Sequence, residues 1–279
     1  YQMHLMPPPS SGGVVMASAF SLIEQLNLAK QAPLSARELH LMGEILSRGF
    51  RGRALLGDPS FHENPTQKLL SDDYLQKIAS TVSSKKTRQL QPLKNASKIG
   101  EESAETTHFS VLDHQGRSIS LTITLNSNFG SKVVTPRFGI ALNNEMTDFT
   151  TKPGEPNIYG LIQGEGNNVE PGKRPLSSMS PTLVTKAGET ILSLGAQGGP
   201  RIISAVLQTL YRVLVSDWNL DWAIQAPRVH HQFLPHTLFL DGQRLSPDIL
   251  ESLRAKGHQV KSSWMGRVYA VRRNQNGIL

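Results

Sequence analysis

One stretch limits the folds open to this chain more than any other. It runs Thr106-Thr107-His108-Phe109-Ser110 and, after a turn, continues as the alternating segment Ser118-Ile119-Ser120-Leu121-Thr122-Ile123-Thr124-Leu125-Asn126. A hairpin closed between Asp113 and Arg117 gives Gly116 the left-handed position that such loops favour, and every facing pair then has position numbers summing to 230. Thr106 falls opposite Thr124. Thr106, His108 and Ser110 share a face with Thr124, Thr122 and Ser120, while the other face sets Phe109 against Leu121 and Val111 against Ile119. A slip of one residue would mix polar with apolar along the whole hairpin.

Two readings of the polar face stand side by side. It is a Ser/Thr-rich solvent face, since strands favour threonine, or it is reactive. A threonine hydroxyl becomes a nucleophile when a base takes its proton, and one available base is the residue's own α-amino group. That amine, with an ordinary pKa of about 7.7–8.0, keeps a useful neutral fraction near physiological pH. It is freed only if the bond between Glu105 and Thr106 is cut.

Composition removes several alternatives. The absence of cysteine excludes disulfides, thiolate metal sites and a cysteine nucleophile. The net charge of +7 divides into +2 before Thr106 and +5 from there on, without a long block of like sign, which reads as a solvated surface and not as a nucleic-acid footprint. No apolar run approaches the length of a membrane span. A start at tyrosine and an end without an evident terminal element read as a segment of a longer protein, so that the absence of a signal peptide carries no weight.

The rest of the chain reads as helices around strands. Val14, Val15, Ala19, Leu22, Ile23 and Leu26 form a buried helical run, Ser35 and Glu38 have capping-box spacing, and Ser71 caps a third helix. From residue 81 to 105 apolar periodicity dissolves into a flexible linker. Gly139 to Asn143 reads as a short strand, Pro153 to Pro175 as a long loop, and the segments on either side of Ala187-Gly188 as a second hairpin. A helix starts at Pro200, and another runs from Ser246-Pro247 to Gly257. The Gly198-Gly199-Pro200 start either exposes backbone N–H groups that could hold an oxyanion or is a plain helix start. Asn126, Glu145 and Asp148 are either loop residues or a polar set suited to an ammonium group. The adjacent His230 and His231 invite a metal reading, but neighbouring side chains diverge and spacing supplies no third ligand, so they are assigned a structural role.

Three more segments complete a recognisable series: Asn143-Asn144-Glu145-Met146-Thr147-Asp148, Arg174-Pro175-Leu176-Ser177-Ser178-Met179 and Gly195-Ala196-Gln197-Gly198-Gly199. With Thr106-Thr107-His108, Met6 to Gly13 and Leu56-Gly57-Asp58-Pro59, the series resembles the gamma-glutamyltransferase family over nearly the whole chain. Members are N-terminal-nucleophile hydrolases that cut themselves into a large and a small subunit. The resemblance implies an α+β fold, the four-layer αββα sandwich. Residues 1–105 would be the end of the large subunit and 106–279 the small one, both within one domain.

It also implies roles. Thr106 would be the nucleophile, Thr124 its orienting partner, and Gly198 and Gly199 the oxyanion donors. Asn126, Glu145 and Asp148 would hold the substrate ammonium and Ser177 and Ser178 its α-carboxylate. Tyr159 would be the lid, and cleavage would fall between Glu105 and Thr106. The hairpin register, apart from the resemblance, sets His108 one pair down the strand, behind the nucleophile. Gln197 and Pro200 depart from the residues most members carry there, and no residue can be matched to the family's upstream carboxylate-binding arginine. The implied chemistry is γ-glutamyl transfer from glutathione to water or an amine, without a cofactor, in the periplasm or outside the cell. A cephalosporin (glutaryl) acylase and an uncleaved non-catalytic homologue are the rival readings.

Overall fold

The computed structural model describes residues 1–90, 106–152, 154–274 and 277–278. The linker expected over residues 81–105 lies outside them from residue 91 onward, as does Glu105. In chain order the elements are β1 (Gln2–His4), α1 (Gly12–Gln25), α2 (Ala36–Arg53), α3 (Thr66–Leu69) and α4 (Asp72–Ser80), then β2 (Thr106–Leu112) and β3 (Ser118–Thr124). There follow β4 (Thr182–Lys186), β5 (Glu189–Gln197), α5 (Arg201–Leu214), α6 (Leu220–Gln225), β6 (Val229–His230), β7 (Thr237–Leu240), α7 (Pro247–Ala255), β8 (Gln259–Ser262), β9 (Arg267–Asn274) and β10 (Gly277–Ile278).

The fold is α+β. An antiparallel sheet in the order β1-β4-β5-β9-β10 carries α5 on one face and the β2-β3 hairpin on the other. Helix α1 lies between α5 and α2, so helices, sheet and hairpin stack as the helix, sheet and sheet layers of an αββα sandwich, and among the described residues the outer face of the hairpin is left uncovered. A small sheet, β6-β7-β8, flanks α2. The core between α1, α2, α5 and the sheet includes Met16, Leu22, Ile45, Leu46, Leu192, Leu194, Ile202 and Leu210, all shielded from water. No helix among the described residues is long and apolar enough to cross a membrane.

Local chemistry accounts for the helix ends. The Ser35 hydroxyl accepts from the Glu38 N–H at 3.2 Å, and the Glu38 carboxylate reaches back to the Leu34 N–H. Ser71 precedes α4 as expected, but its hydroxyl donates to the Lys68 carbonyl and caps nothing in α4. Helix α5 starts one residue after Pro200, and Gly257, at φ 91°, follows α7. The strand expected over Gly139 to Asn143 is corrected: the segment turns back on residues 131–135 through a few backbone hydrogen bonds and one isolated bridge, Val134 to Ala141, too short a pairing to make a strand ladder.

The hairpin pairs Thr106 with Thr124, His108 with Thr122 and Phe109 with Leu121, the register required by a sum of 230. Gly116 sits at φ 85° in its loop. Its orientation differs from the solvent-face reading. The hydroxyl face points inward: Ser120 Oγ donates to the Leu194 carbonyl and accepts from the Thr182 N–H, both at 3.0 Å. Ser193 Oγ donates to the Ile119 carbonyl at 2.9 Å, and Ser118 and Thr190 share a hydrogen bond. The apolar face points outward, leaving Phe109 45% and Ile123 59% exposed beside Val111, Ile119 and Leu121. Packing of the polar face is possible because β5 offers hydroxyls and carbonyls in place of side-chain bulk. At Gly195 a Cβ would lie 2.3 Å from the His108 ring, so only glycine leaves the ring its room.

Candidate active site

Thr106, the first residue of β2, is buried at the open end of the hairpin. Its hydroxyl donates to Thr124 Oγ1 at 3.2 Å, and Thr124 Oγ1 also accepts the Asn126 N–H at 2.9 Å. One pair further along, His108 Nδ1 meets Thr122 Oγ1 at 2.8 Å and its Nε2 meets Ser110 Oγ at 2.9 Å. Burial pulls His108 down to about 4, so the ring is neutral at physiological pH. It therefore works as a bridge between hydroxyls.

Around Thr106 a pocket of about 360 Å³ is lined by Thr124, Asn126, Glu145, Asp148, Tyr159, Ser177, Ser178, Gly199 and Arg53, among others. Most of the residues singled out in the sequence thus converge on one cleft. Gly199, at φ 53°, reaches the wall; Gly198, at φ 132°, stands behind it against Trp264 and Gly266. The two glycines precede the N-terminus of α5, whose first N–H groups bond back to their carbonyls.

Glu145 and Asp148 lie on one 3-10 turn and share a hydrogen bond. Burial raises both above the ordinary carboxylate range, and repulsion from Asp148 adds to it at Glu145, pushed up to about 8, whereas the hydrogen bond from Glu145 and the Arg53 charge work against it at Asp148. Glu145 Oε1 and Asp148 Oδ1 are enclosed without a hydrogen-bond partner. Two aimed acceptors of high proton affinity suit a cationic donor. Asn126 sits beside them, but its amide is engaged: Nδ2 donates to Thr147 Oγ1 at 2.8 Å, and Oδ1 takes the Tyr159 hydroxyl. That hydroxyl also donates to the Asn126 carbonyl at 2.8 Å. Tyr159 is buried with its ring against Gly199, so it closes one side of the cleft.

Ser177 and Ser178 form a turn cradled by the start of the chain. The Ser177 N–H donates to the Pro9 carbonyl at 2.8 Å, and the Ser11 N–H and hydroxyl both donate to the Ser177 carbonyl. A Cβ on Gly12 would fall 2.1 Å from Ser180 Oγ, and one on Gly13 2.4 Å from the Met6 carbonyl. The two glycines allow this approach. Asp58 grips the far end of the same segment, accepting from the Arg174 backbone N–H and guanidinium at 2.7–2.9 Å, which holds its carboxyl well below the usual range.

The sequence reading missed Arg53. Its guanidinium donates to Ser11 Oγ, Gln163 Oε1, the Leu176 carbonyl and Ser178 Oγ. Its spacing from Leu39, Met42, Leu46 and Gly49 continues the inward stripe of α2, and a cation on such a stripe was the available signal.

The adjacent histidines point to different partners. His230 bonds Ser204 and Gln232, while His231 Nδ1 accepts the Phe233 N–H. Among the described residues, His40, Glu44 and His258 form the one cluster with metal-ligand types. His40 Nδ1 and His258 Nε2 are 2.7 Å apart, a hydrogen-bond distance, whereas two nitrogens on one tetrahedral zinc stand about 3.3 Å apart. Glu44 is already held by Arg48 and Thr87. The cluster is a closed hydrogen-bond network.

A family model described as Gamma-glutamyltranspeptidase matches residues 1–279. A curated relative from Escherichia coli (strain K12), named glutathione hydrolase proenzyme, is 42% identical over 261 residues, which is 93% of this chain and 45% of that protein. The chain thus spans about half the length of the curated relatives it matches. A gamma-glutamyltranspeptidase from Pseudomonas nitroreducens, solved in complex with L-DON, is 42% identical and superposes with a TM-score of 0.59 over 62% of this chain and 92% of its own. Cephalosporin acylase from Bacillus halodurans shares the fold, with a TM-score of 0.75 over 99% of this chain and 48% of its own at 21% identity.

Proposed function

This chain belongs to the gamma-glutamyltranspeptidase family, and from that premise we propose that its full-length parent is a self-cleaving γ-glutamyl hydrolase and transferase with Thr106 as nucleophile. The observation that carries the reading is the convergence of the Thr106–Thr124 hydroxyl pair, the Gly199 backbone and the Glu145–Asp148 carboxylates on one pocket. In maturation, Thr106 Oγ attacks the carbonyl carbon of Glu105, the C–N bond breaks to free the Thr106 amine as an ester forms, and water cleaves that ester to return the Thr106 hydroxyl and leave a carboxylate on Glu105. Residues 1–105 then end the large subunit and 106–279 form the small one. The solved Pseudomonas nitroreducens chain matches 62% of this one, close to the share that residues 106–279 make up, which supports this division.

In turnover, the freed amine takes the Thr106 hydroxyl proton as oxygen attacks the γ-amide carbon of glutathione or a related compound. N–H groups at Gly198 and Gly199 hold the oxyanion, the protonated amine delivers its proton to the leaving amine, and a γ-glutamyl ester remains on Thr106. Water or an acceptor amine removes it. Glu145 and Asp148 take the substrate ammonium with Asn126 beside them, Ser177 and Ser178 take the α-carboxylate, and Tyr159 covers the pocket. This chemistry draws on side chains, backbone N–H groups and the Thr106 amine. The proposed setting is the periplasm or the extracellular space.

The enclosed carboxylate oxygens favour this reading over a glutaryl acylase, whose substrate side chain brings no ammonium to relieve them. They also give a proton test. Glu145 keeps its proton near neutrality in the empty pocket, and an ammonium beside it lowers its pKa again. Binding of L-glutamate to the parent at about pH 7 therefore releases on the order of one proton. Calorimetry in buffers of different ionisation enthalpy reads this release directly. A binding heat independent of buffer counts against an ammonium on this pair.

The hydroxyl pair has its own test. Thr124→Ala in the parent slows self-cleavage and turnover by about ten- to a hundredfold and leaves the melting temperature within about 2 °C. Thr122→Ala instead strips His108 Nδ1 of its partner, costs about 1–3 kcal/mol of stability and largely spares the rate. Equal rate losses in the two variants would mean that the Thr106–Thr124 contact does not orient the nucleophile.

A further inference from the structure

The two groups of residues assigned to the substrate's α-amine and α-carboxylate are tied to one guanidinium. We propose that Arg53 is a positioning residue for the γ-glutamyl head group, locking the acidic turn and the serine turn into one wall; this deepens the reading above and rests on it. Arg53 Nη1 donates to Gln163 Oε1 at 2.8 Å, and Gln163 Nε2 donates onward to the Asp148 backbone carbonyl at 2.8 Å. Asn167 Nδ2 grips the same carbonyl at 2.7 Å, and its Oδ1 accepts the Leu176 N–H. On the other side, Arg53 Nη2 donates to Ser178 Oγ and the Leu176 carbonyl, both at 3.3 Å, and Nε donates to Ser11 Oγ at 3.0 Å. Ser11 in turn holds the Ser177 carbonyl. A planar fork that donates to several fixed acceptors sets distance and angle together, which a flexible ammonium does not.

The guanidinium also has an electrostatic part. It is buried to 2% exposure and faces Asp148. The charged and titratable groups around Asp148 are Glu145 on its own turn, Arg53 from α2 and the Tyr159 hydroxyl from the loop above. Arg53 works against burial to keep the Asp148 carboxylate charged, the form an ammonium needs. The same side chain thereby holds the wall in place and keeps it ionised.

The test compares the full-length parent with Arg53→Met, Arg53→Lys and Gln163→Leu on a γ-glutamyl anilide across about pH 5 to 9. Arg53→Met raises KM about tenfold or more, holds kcat within about threefold, and moves the acid limb of kcat/KM up by about one pH unit, as loss of a nearby opposite charge requires. Arg53→Lys returns the acid limb to its place and keeps a raised KM. Gln163→Leu raises KM with the limb unmoved, and together these last two variants separate the charge from the fork even if Arg53→Met does not fold. An unchanged KM in Arg53→Lys and Gln163→Leu overturns the proposal, as does an acid limb unmoved in a folded Arg53→Met. A parent that turns over the anilide while its variants behave so overturns the proposal alone. A parent without any γ-glutamyl turnover overturns both the function and the role of Arg53.

Discussion

Thr106→Ala in the full-length parent leaves one uncut polypeptide on a denaturing gel and lowers γ-glutamyl anilide turnover by at least about a thousandfold. Both losses have one cause: alanine removes the oxygen that attacks in maturation and in turnover. The substitution leaves the hairpin standing, because Thr106 is the terminal pair of a seven-pair ladder and its hydroxyl contributes one 3.2 Å contact. The melting temperature should therefore stay close to that of the uncut parent. Gel electrophoresis, N-terminal sequencing and the anilide assay together check the result. Two bands with a free residue-106 terminus, or turnover above about a tenth of the parent's, would remove Thr106 from both reactions.

Gly195→Ala produces the second large effect, at a position with no chemistry of its own. The added methyl would lie 2.3–2.8 Å from three atoms of the His108 ring, and His108 is pinned between Thr122 and Ser110. The ring cannot retreat without breaking those bonds, so the hairpin lifts from β5 and carries Thr106 with it. Overpacking of this kind costs about 1–3 kcal/mol, and a displacement of about 1 Å at a nucleophile costs about a hundredfold in rate. Thermal unfolding and kcat/KM of the parent variant measure the two parts. His108→Ala introduced alongside Gly195→Ala should recover part of the lost stability, since it removes the opposing atoms. A Gly195→Ala protein with parent-like stability and rate would mean that the hairpin does not rest on β5 through His108.

Several features were legible in the sequence for identifiable reasons. Strict alternation over β2 and β3, with Gly116 at the loop, admits one register, and the ladder has it. Alternation separates two faces without saying which one turns inward. Here the partner sheet supplies Ser193, Thr190 and the bare backbone of Gly195, so the hydroxyl face is the buried one. The apolar spelling of Gly139 to Asn143 suggested a strand, yet a strand exists only where a neighbour completes its ladder. Glu145, Asp148, Ser177 and Ser178 could be named from motif resemblance. Arg53 continues the inward stripe of α2, but a stripe says only that the cation is buried and not what it faces. What joins Arg53 to Ser178 is a contact across 125 positions, which no local pattern encodes.

The hydroxyl seam between hairpin and sheet has a mechanical consequence. Thr106 stands on one sheet, and Gly199 follows the last residues of the other, so the gap between them depends on how the two sheets sit against each other in shear. An oily interface resists separation but offers little against sliding, because apolar contact is non-directional. Hydrogen bonds from Ser118, Ser120 and Ser193 to fixed points on the facing strand are directional and fail if either sheet slides by a fraction of a residue. They act as dowels, fixing the alignment of two surfaces that hydrophobic pressure alone would only hold together.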